Sequence, residues 1–173
     1  RLEQRDDPLA ELPTSTDERY LARQVVLVGY GRVGRRVASV LAAHNIPLVV
    51  AEQNRELVEE LRAQGMAAVF GDAVEPAVLI QAHIARAHML VIATPDTLNV
   101  QQIIATARLL NPGIETVVRS HGEEEAVRLE KECGSTVFMG EEALAQAMAG
   151  HVLARAAARG GNATPPGVLH ESA

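Results

Sequence analysis

The sequence predicts a doubly wound α/β protein, in which helices cover both faces of one six-stranded parallel sheet. Short apolar runs alternate six times with helical runs along the 173 residues. Hydrophobic residues make up 47% of the chain and aromatic residues only 2%, so small branched side chains must fill the core, as suits buried parallel strands. A glycine-rich turn, residues 29–34, joins the first strand to the first helix. Right-handed crossovers and two βαβαβ halves favour the strand order 3-2-1-4-5-6.

The first half of the chain supplies three strand–helix pairs. Strands are predicted over 24–30, 46–52 and 66–72, and helices over 31–44, 54–65 and 75–82. Gly65 is predicted to end the second helix as its C-cap. Pro76 falls in the first turn of the third helix, where its missing N–H costs little.

The second half repeats the pattern. Strands are predicted over 88–94, 114–119 and 135–140, and helices over 96–110, 123–134 and 141–158. Asp96 is expected to cap a helix that begins at Thr97. The run Asn111-Pro112-Gly113 ends that helix, and Gly134 ends the next one.

The two ends of the chain differ in composition from the segment between them. Residues 1–23 are charged, contain Pro8 and Pro13 and lack a sustained period, so we interpret them as a linker or a short irregular arm. Residues 158–173 are rich in Gly and Pro and are predicted to be a disordered tail. One domain is therefore predicted over residues 24–157. The chain does not begin with Met, which indicates a piece of a larger protein.

Composition and charge exclude several function classes. The net charge is −6 and no basic cluster is longer than Arg35-Arg36, so a nucleic-acid partner is not expected. Cys133 is the single cysteine, and no two histidines have metal-ligand spacing, so neither a disulfide nor a metal site is predicted. The apolar runs are shorter than the roughly 20 residues that span a bilayer. With no signal peptide visible, we expect a soluble, cytoplasmic domain.

The turn at residues 29–34 has the sequence Gly-Tyr-Gly-Arg-Val-Gly, which is the G-x-G-x-x-G pattern of Rossmann-like domains. Gly29 permits the tight turn, Gly31 lets a phosphate approach the backbone, and Gly34 lets helix and strand pack closely. The N-terminus of the following helix attracts an anion. Glu52 ends the second strand, where its carboxylate can bind both ribose hydroxyls and would repel a 2′-phosphate. The pattern therefore favours AMP, ADP, ATP or NAD(H) over NADP(H).

Other candidates lie at the same edge, because ligands of open α/β sheets bind beyond the carboxyl ends of the strands. Asp72 and Ala73 would lie beside the adenine, although Asp72 serves equally well as a helix cap. Thr94 falls at the topological switch point. Arg119 is the only cation that strand position places there, and it suits a phosphate or a dimer interface. The predicted cofactor-binding residues are Gly29, Tyr30, Gly31, Arg32, Val33, Gly34, Glu52, Gln53, Asp72, Ala73, Thr94 and Arg119.

Catalytic residues are not recognisable in the sequence. Little chain remains after the sixth strand to build a substrate domain, and neither a Tyr-x-x-x-Lys pair nor a nucleophile–base arrangement can be assigned. The sequence therefore predicts a binding domain and not an enzyme. Two alternatives remain open, namely the cofactor-binding module of an NAD-dependent oxidoreductase and a dimeric scaffold that binds no nucleotide.

The segment from residue 24 to about 157 resembles the nucleotide-binding RCK domain (regulator of K⁺ conductance, also called TrkA-N or KTN). The matching features are Glu52 and the runs VGYGRVGRRVASVL, VFGDA, VIATPDTLNV, VVRSHGEEEAVRLEKECGSTVF and GEEALAQAMAGHVL. The pairing of G-x-G-x-x-G with Gly-Asp-Ala after the third strand is much more specific than either motif alone. Within the family, the chain is most similar to the C-terminal domain of Kef-type potassium/proton antiporters, particularly the YbaL-like branch.

This resemblance implies a homodimeric regulatory domain, attached to the membrane antiporter domain of the same polypeptide on the cytoplasmic side of the inner (plasma) membrane. It implies that a bound adenine nucleotide gates potassium transport, with Arg119 matching a rim arginine of the family. Leu144, Met148 and Val152 share one face of the last helix, which in relatives packs across the dimer; packing on its own sheet is the alternative. His121 stands where glutathione-gated members tend to carry a second basic residue, so the resemblance does not extend to glutathione regulation.

Overall fold

The computed structural model describes residues 7–95 and 98–160. Six strands form one parallel sheet in the order β3-β2-β1-β4-β5-β6, which confirms the predicted topology. The strands are β1 (Val25–Val28), β2 (Leu48–Glu52), β3 (Ala67–Phe70), β4 (Met89–Ile92), β5 (Glu115–Ser120) and β6 (Thr136–Met139). The helices are α1 (Arg32–Ala43), α2 (Arg55–Ala63), α3 (Pro76–Gln81), α4 (Val100–Leu110), α5 (Glu123–Cys133) and α6 (Gly140–Gly160). Short 3-10 helices cover Glu18–Tyr20 and Ile84–Arg86.

Helices cover both faces of the sheet because its strands are apolar on both sides. On one face, Ala38 of α1 and Leu61 of α2 belong to a buried cluster with Leu27 of β1. On the other face, Leu79 of α3 and Ile104 of α4 belong to a second cluster. All four residues of β1 are buried, which is the pattern expected for the central strand of a parallel sheet.

The strand register brings the carboxyl ends of four strands to one edge of the sheet. Val28 pairs with Ala51 of β2 on one side and with Ile92 of β4 on the other. Glu52 pairs with Phe70 of β3. The strand order reverses between β1 and β4, so the turn after β1 lies at the topological switch point, where such sheets bind ligands.

Most element boundaries lie within a few residues of those expected from the sequence, and two of the differences affect other predictions. The fourth helix begins at Val100 with Asn99 as its N-cap, and not at Thr97; the expected cap Asp96 and Thr97 itself lie outside the described residues. The last helix continues to Gly160, so residues 158–160, which were expected to belong to a disordered tail, are helical. The alanine run at 156–158 has the highest helix propensity and extends the helix up to the glycines. The rest of that tail, residues 161–173, lies outside the described residues.

The chain divides into two compact units, Arg1–Met139 and Gly140–Ala173. The first unit contains the sheet and α1–α5. The described part of the second unit is α6, none of whose residues is buried.

Candidate functional site

A cleft opens at the carboxyl ends of β1–β4. Its volume is about 380 Å³, which is within the usual range for small-molecule sites. Its walls are the turns after β1, β2 and β3 on one side and the β4–α4 connection on the other. The lining residues are Val28, Gly29, Tyr30, Gly31, Ala51, Glu52, Gln53, Gly71, Asp72, Ala73, Val74, Thr94, Pro95, Asn99 and Ile103. Eight of the residues predicted from the sequence are among them: Gly29, Tyr30, Gly31, Glu52, Gln53, Asp72, Ala73 and Thr94.

The fold requires glycine at two positions of the turn, Gly29 and Gly34, whether or not a ligand is bound. Gly29 has a φ of +92°, and a Cβ there would lie 2.9 Å from the backbone nitrogen of Thr94. A Cβ on Gly34 would lie 2.0 Å from the carbonyl oxygen of Gly29. Any side chain at position 34 would therefore push α1 away from the turn.

Gly31 differs from both, because nothing lies within 4 Å of the position that its Cβ would occupy. Its φ of −81° and ψ of −153° are extended backbone that other residues also adopt. The fold therefore does not need glycine here. A ligand that lies close against the backbone at this position would need it.

The N-terminus of α1 is free to bind an anion. Its N-cap is Gly31, which has no side chain to accept a hydrogen bond from the first amides, and its first turn contains no acidic residue. The first amides of a helix have no partner within the helix and carry partial positive charge. Arg32 adds a full positive charge in the same turn.

Glu52 lies at the end of β2 and connects two turns of the cleft. One carboxylate oxygen, Oε2, accepts a hydrogen bond from the amide of Tyr30 at 2.7 Å. The other, Oε1, accepts one from the amide of Asn54 at 3.2 Å. A carboxylate has about four acceptor positions, so two remain for the hydroxyls of a ligand.

Asp72 follows β3 and lines the cleft beside Ala73. Its Oδ1 accepts a hydrogen bond from the amide of Val74 at 3.0 Å. The N-cap of α3 is Glu75, so Asp72 shapes the turn before the helix and does not occupy the cap position. The second carboxylate oxygen of Asp72 has no hydrogen-bond partner among the described residues and is available to a ligand.

The far wall of the cleft contains residues that were not predicted from the sequence. Asn99 caps α4 through its backbone, and its side chain makes no capping hydrogen bond. Ile103 lies one helical turn further on, and Pro95 follows Thr94. Asn99 falls inside the predicted helix because that prediction takes Asp96 as the N-cap, although Asn99 followed by Gln102 is also a capping pattern.

Four predicted residues do not line the cleft. Arg32 and Val33 are exposed in the first turn of α1, and Gly34 is buried by helix packing. Arg119 is half-buried on β5, where it pairs with Phe138 of β6, the neighbouring strand on the side away from the cleft. The sequence predicts the strand or helix on which each of these four residues lies. It does not predict whether the residue lines the cleft, because a neighbour of a lining residue can point elsewhere.

The cleft can hold a polar ligand with an anionic group at one end. It combines the glycine turn that leads into α1, two acceptor carboxylates and an apolar floor formed by side chains such as Val28 and Ala51. Within residues 7–95 and 98–160, no three His, Cys, Asp or Glu side chains converge in a way that could hold a metal ion. None of the helices in the described parts of the chain combines the length and the apolar character of a membrane span.

The chain matches the TrkA-N domain family over residues 25–140. It is 38% identical over 128 residues to the cation/proton antiporter YbaL of Escherichia coli (strain K12), a match that covers 74% of this chain. The chain spans only 23% of the length of that relative.

Solved structures show the same fold. The TrkA-N domain of the E. coli inner membrane protein YbaL aligns with a TM-score of 0.69 and 39% identity, covering 73% of this chain and 94% of that one. A Kef C-terminal domain of Shewanella denitrificans in AMP-bound form aligns with a TM-score of 0.63 and 21% identity, covering 75% and 80%. The GsuK channel bound to NAD aligns with a TM-score of 0.61 and 22% identity, covering 77% and 23%.

Proposed function

Because the chain belongs to the TrkA-N domain family, we propose that it is the nucleotide-binding regulatory domain of a monovalent cation (potassium)/proton antiporter. In this proposal an adenine nucleotide binds in the cleft described above and biases a homodimer, which in turn gates the membrane domain of the same polypeptide at the cytoplasmic side of the inner membrane. The likeness to YbaL supports the transporter class. The domain binds its effector and carries out no chemical reaction on it.

The observation that carries the nucleotide site is the combination of Gly31 and Glu52. Open space at the Cβ position of Gly31 leaves room for a phosphate against the first turn of α1. Glu52 keeps two acceptor positions for the ribose hydroxyls while its other two hold the surrounding turns. A 2′-phosphate would bring negative charge against this carboxylate, so we propose AMP, ADP, ATP or NAD(H) as ligands and not NADP(H).

The remaining residues take roles that follow from their positions. We assign Asp72 and Ala73 to the adenine edge, and Gln53 and Thr94 to the ribose and phosphate, because all four line the cleft. Arg119 lies outside the cleft, and we assign it to the dimer interface in preference to the phosphate.

The dimer is proposed to form through α6. Leu144, Met148 and Val152 are 61%, 62% and 64% exposed, and they recur every fourth residue on one face of the helix. A solvent-facing row of this kind is typical of a helix that packs against a partner. A nucleotide that binds two arrangements of the dimer unequally, by about 1–3 kcal/mol, would change transport roughly 5- to 150-fold.

Binding is tested directly on the purified chain. We expect AMP and NADH to bind in isothermal titration calorimetry with one site per chain, and to raise the melting temperature. A ligand at a hundred times its Kd stabilises the folded state by about 2.7 kcal/mol. Equal melting temperatures with and without AMP, NADH and ATP would overturn the nucleotide site.

Gating is tested in vesicles that contain the antiporter with this domain, where Glu52→Ala should abolish the response of cation/proton exchange to AMP.

A further inference from the structure

The segment Asp7–Glu11, here called the arm, is attached to the edge of the sheet. The side chain of Leu9 is only 9% exposed and belongs to the buried cluster on the α1–α2 face. The carbonyl oxygen of Leu9 accepts a hydrogen bond from the amide of Phe70 at 2.8 Å. Phe70 ends β3, an edge strand whose outer amides have no partner within the sheet. The arm therefore supplies a backbone partner at the strand end that leads into the cleft.

Arg62 of α2 holds the arm to the domain. Its guanidinium donates to the carbonyl oxygen of Ala68 at 2.8 Å, of Pro8 at 3.0 Å and of Leu9 at 3.1 Å, and also to that of Glu11. One planar group thus joins the outer side of β3 to three residues of the arm. Partial burial of the guanidinium lowers the pKa of Arg62, and the negative charge of Asp7 opposes this shift.

A second attachment lies at the start of α2. Arg55 forms an ion pair with Asp7, and its guanidinium lies 5.6 Å from the centroid of the Phe70 ring. Arg55 directly follows Asn54, whose amide donates to Glu52. The carboxylate of the candidate nucleotide site and the ion pair of the arm are therefore held by the same short turn.

The arm and the cleft also share walls. A cavity of about 500 Å³ lies between the arm and α3, and Asp7, Ala10 and Glu11 form its arm side. Gln53, Gly71 and Asp72 line this cavity and the nucleotide cleft alike. A change in the position of these three residues would alter both spaces.

We propose that docking of the arm and binding of a nucleotide in the cleft stabilise each other. This inference rests on the proposed function, because it takes the cleft as a nucleotide site. A ligand on Glu52 and Asp72 fixes the turns after β2 and β3, and the docked arm requires the same turns in the same positions. By thermodynamic reciprocity, the arm then strengthens nucleotide binding by the factor by which the nucleotide strengthens docking. In an antiporter, the arm would transmit the occupancy of the cleft to the part of the polypeptide on the N-terminal side of the domain.

The test combines amide hydrogen exchange at Phe70 with calorimetric titration of AMP. Arg62→Gln changes the domain and removes the guanidinium that donates to the arm. Leu9→Ser changes the arm and removes its buried side chain, while the sequence of α2 stays the same. Arg128→Gln, an exposed arginine of α5, is the matched control. We expect AMP to slow exchange at Phe70 in the native chain by about fivefold or more, and each release variant to weaken AMP binding by a similar factor. The control should change neither quantity.

Three other results would contradict the coupling, the attachment of the arm or the proposed function. If both release variants free the Phe70 amide but bind AMP within twofold of the native chain, the coupling is overturned. The attachment itself is refuted if neither variant accelerates exchange at Phe70. Failure of the native chain to bind any of AMP, NADH and ATP would instead contradict the proposed function, so the two failures are separable.

Discussion

The carboxylate of Glu52 and the backbone amide of Tyr30 are joined by a hydrogen bond of 2.7 Å, which ties the end of β2 to the turn after β1. The sequence motif assigns Glu52 to the sugar of a ligand, but this contact gives it a second task in the absence of ligand. The residue pre-positions the turn against which a phosphate would lie. Binding to a preformed turn avoids the entropy cost of ordering it.

Replacement of Glu52 by Gln separates these two tasks. The amide oxygen of Gln can still accept from the Tyr30 amide, so the turn after β1 should keep its contact with β2, while the negative charge and the acceptor for the Asn54 amide are lost. Because a hydrogen bond to a charged group contributes about 1.5–3 kcal/mol, AMP affinity should fall about tenfold to a hundredfold. Adenosine 2′,5′-bisphosphate should lose less affinity than AMP, since the repulsion of its 2′-phosphate disappears. Calorimetry of both ligands measures the two effects.

Glu60→Gln is the matched control for that substitution, because Glu60 is exposed on α2 away from the cleft. It should leave the affinity for both ligands unchanged. The site would be wrongly assigned if Glu52→Gln and Glu60→Gln behaved alike.

Two glycine substitutions should give opposite results. Gly34→Ala places a Cβ 2.0 Å from the Gly29 carbonyl oxygen, and overpacking of this kind typically costs about 1–3 kcal/mol. Gly31→Ala meets no protein atom, so its melting temperature should stay close to that of the native chain. Its affinity for AMP should nevertheless fall, by about tenfold, because the methyl group occupies the space of the phosphate.

Thermal denaturation and calorimetry on the two variants provide the comparison. If Gly31→Ala bound AMP as tightly as the native chain, the phosphate would not lie against this turn. A stable Gly34→Ala protein would show that α1 can move away from the turn at little cost.

The exposed face of α6 should control the oligomeric state. Burial of a side chain such as Met148 contributes about 1.5–3 kcal/mol, so Met148→Asp should weaken a dimer formed on this face by at least about tenfold. Ala157→Asp adds the same charge on the opposite face of the helix and should leave the dimer intact. Sedimentation equilibrium over a range of concentrations distinguishes the two variants. Equal dissociation constants would remove the Leu144–Met148–Val152 face from the interface.

Much of the fold and about half of the cleft lining follow from the sequence because they depend on short-range patterns. The alternation of apolar strands with amphipathic helices sets the topology, and the motif glycines and Glu52 occupy fixed positions relative to β1 and β2. Thr94 was placed correctly because the ends of adjacent parallel strands meet at one edge.

The features that the sequence does not predict depend on contacts between distant parts of the chain. Leu9 lies in a charged, proline-containing stretch, and its attachment becomes visible only in the structure, through its burial, its carbonyl bond to Phe70 and the hydrogen bonds from Arg62. Asn99 joins the cleft because α4 starts at Val100, whereas the sequence offers Asp96 as an equally good cap three residues earlier. Arg119 has the expected strand position, but the cleft ends at β4. The attachment of Leu9 and the position of Arg119 relative to the cleft have no local period or motif.

The attachment of the arm should depend on pH through Asp7. The hydrogen bond from Arg55 is the main cause that lowers the pKa of Asp7 below its ordinary value of 3.8, and the amide of Leu9 adds to it. A group whose pKa is lowered in the docked state stabilises that state when it is ionised. The contribution is therefore complete above the ordinary aspartate value and is lost as the pH falls below 3.8 towards the lowered pKa. An NMR titration that follows the Phe70 amide resonance should show a weakening of the attachment confined to this acidic range, and only a partial one, because the burial of Leu9 and the hydrogen bonds from Arg62 do not titrate there. Asp7→Asn should remove the pH dependence, and addition of salt should weaken it, because the ion pair is exposed. An Asp7→Asn protein that still released its arm at the same pH would assign the transition to another carboxylate.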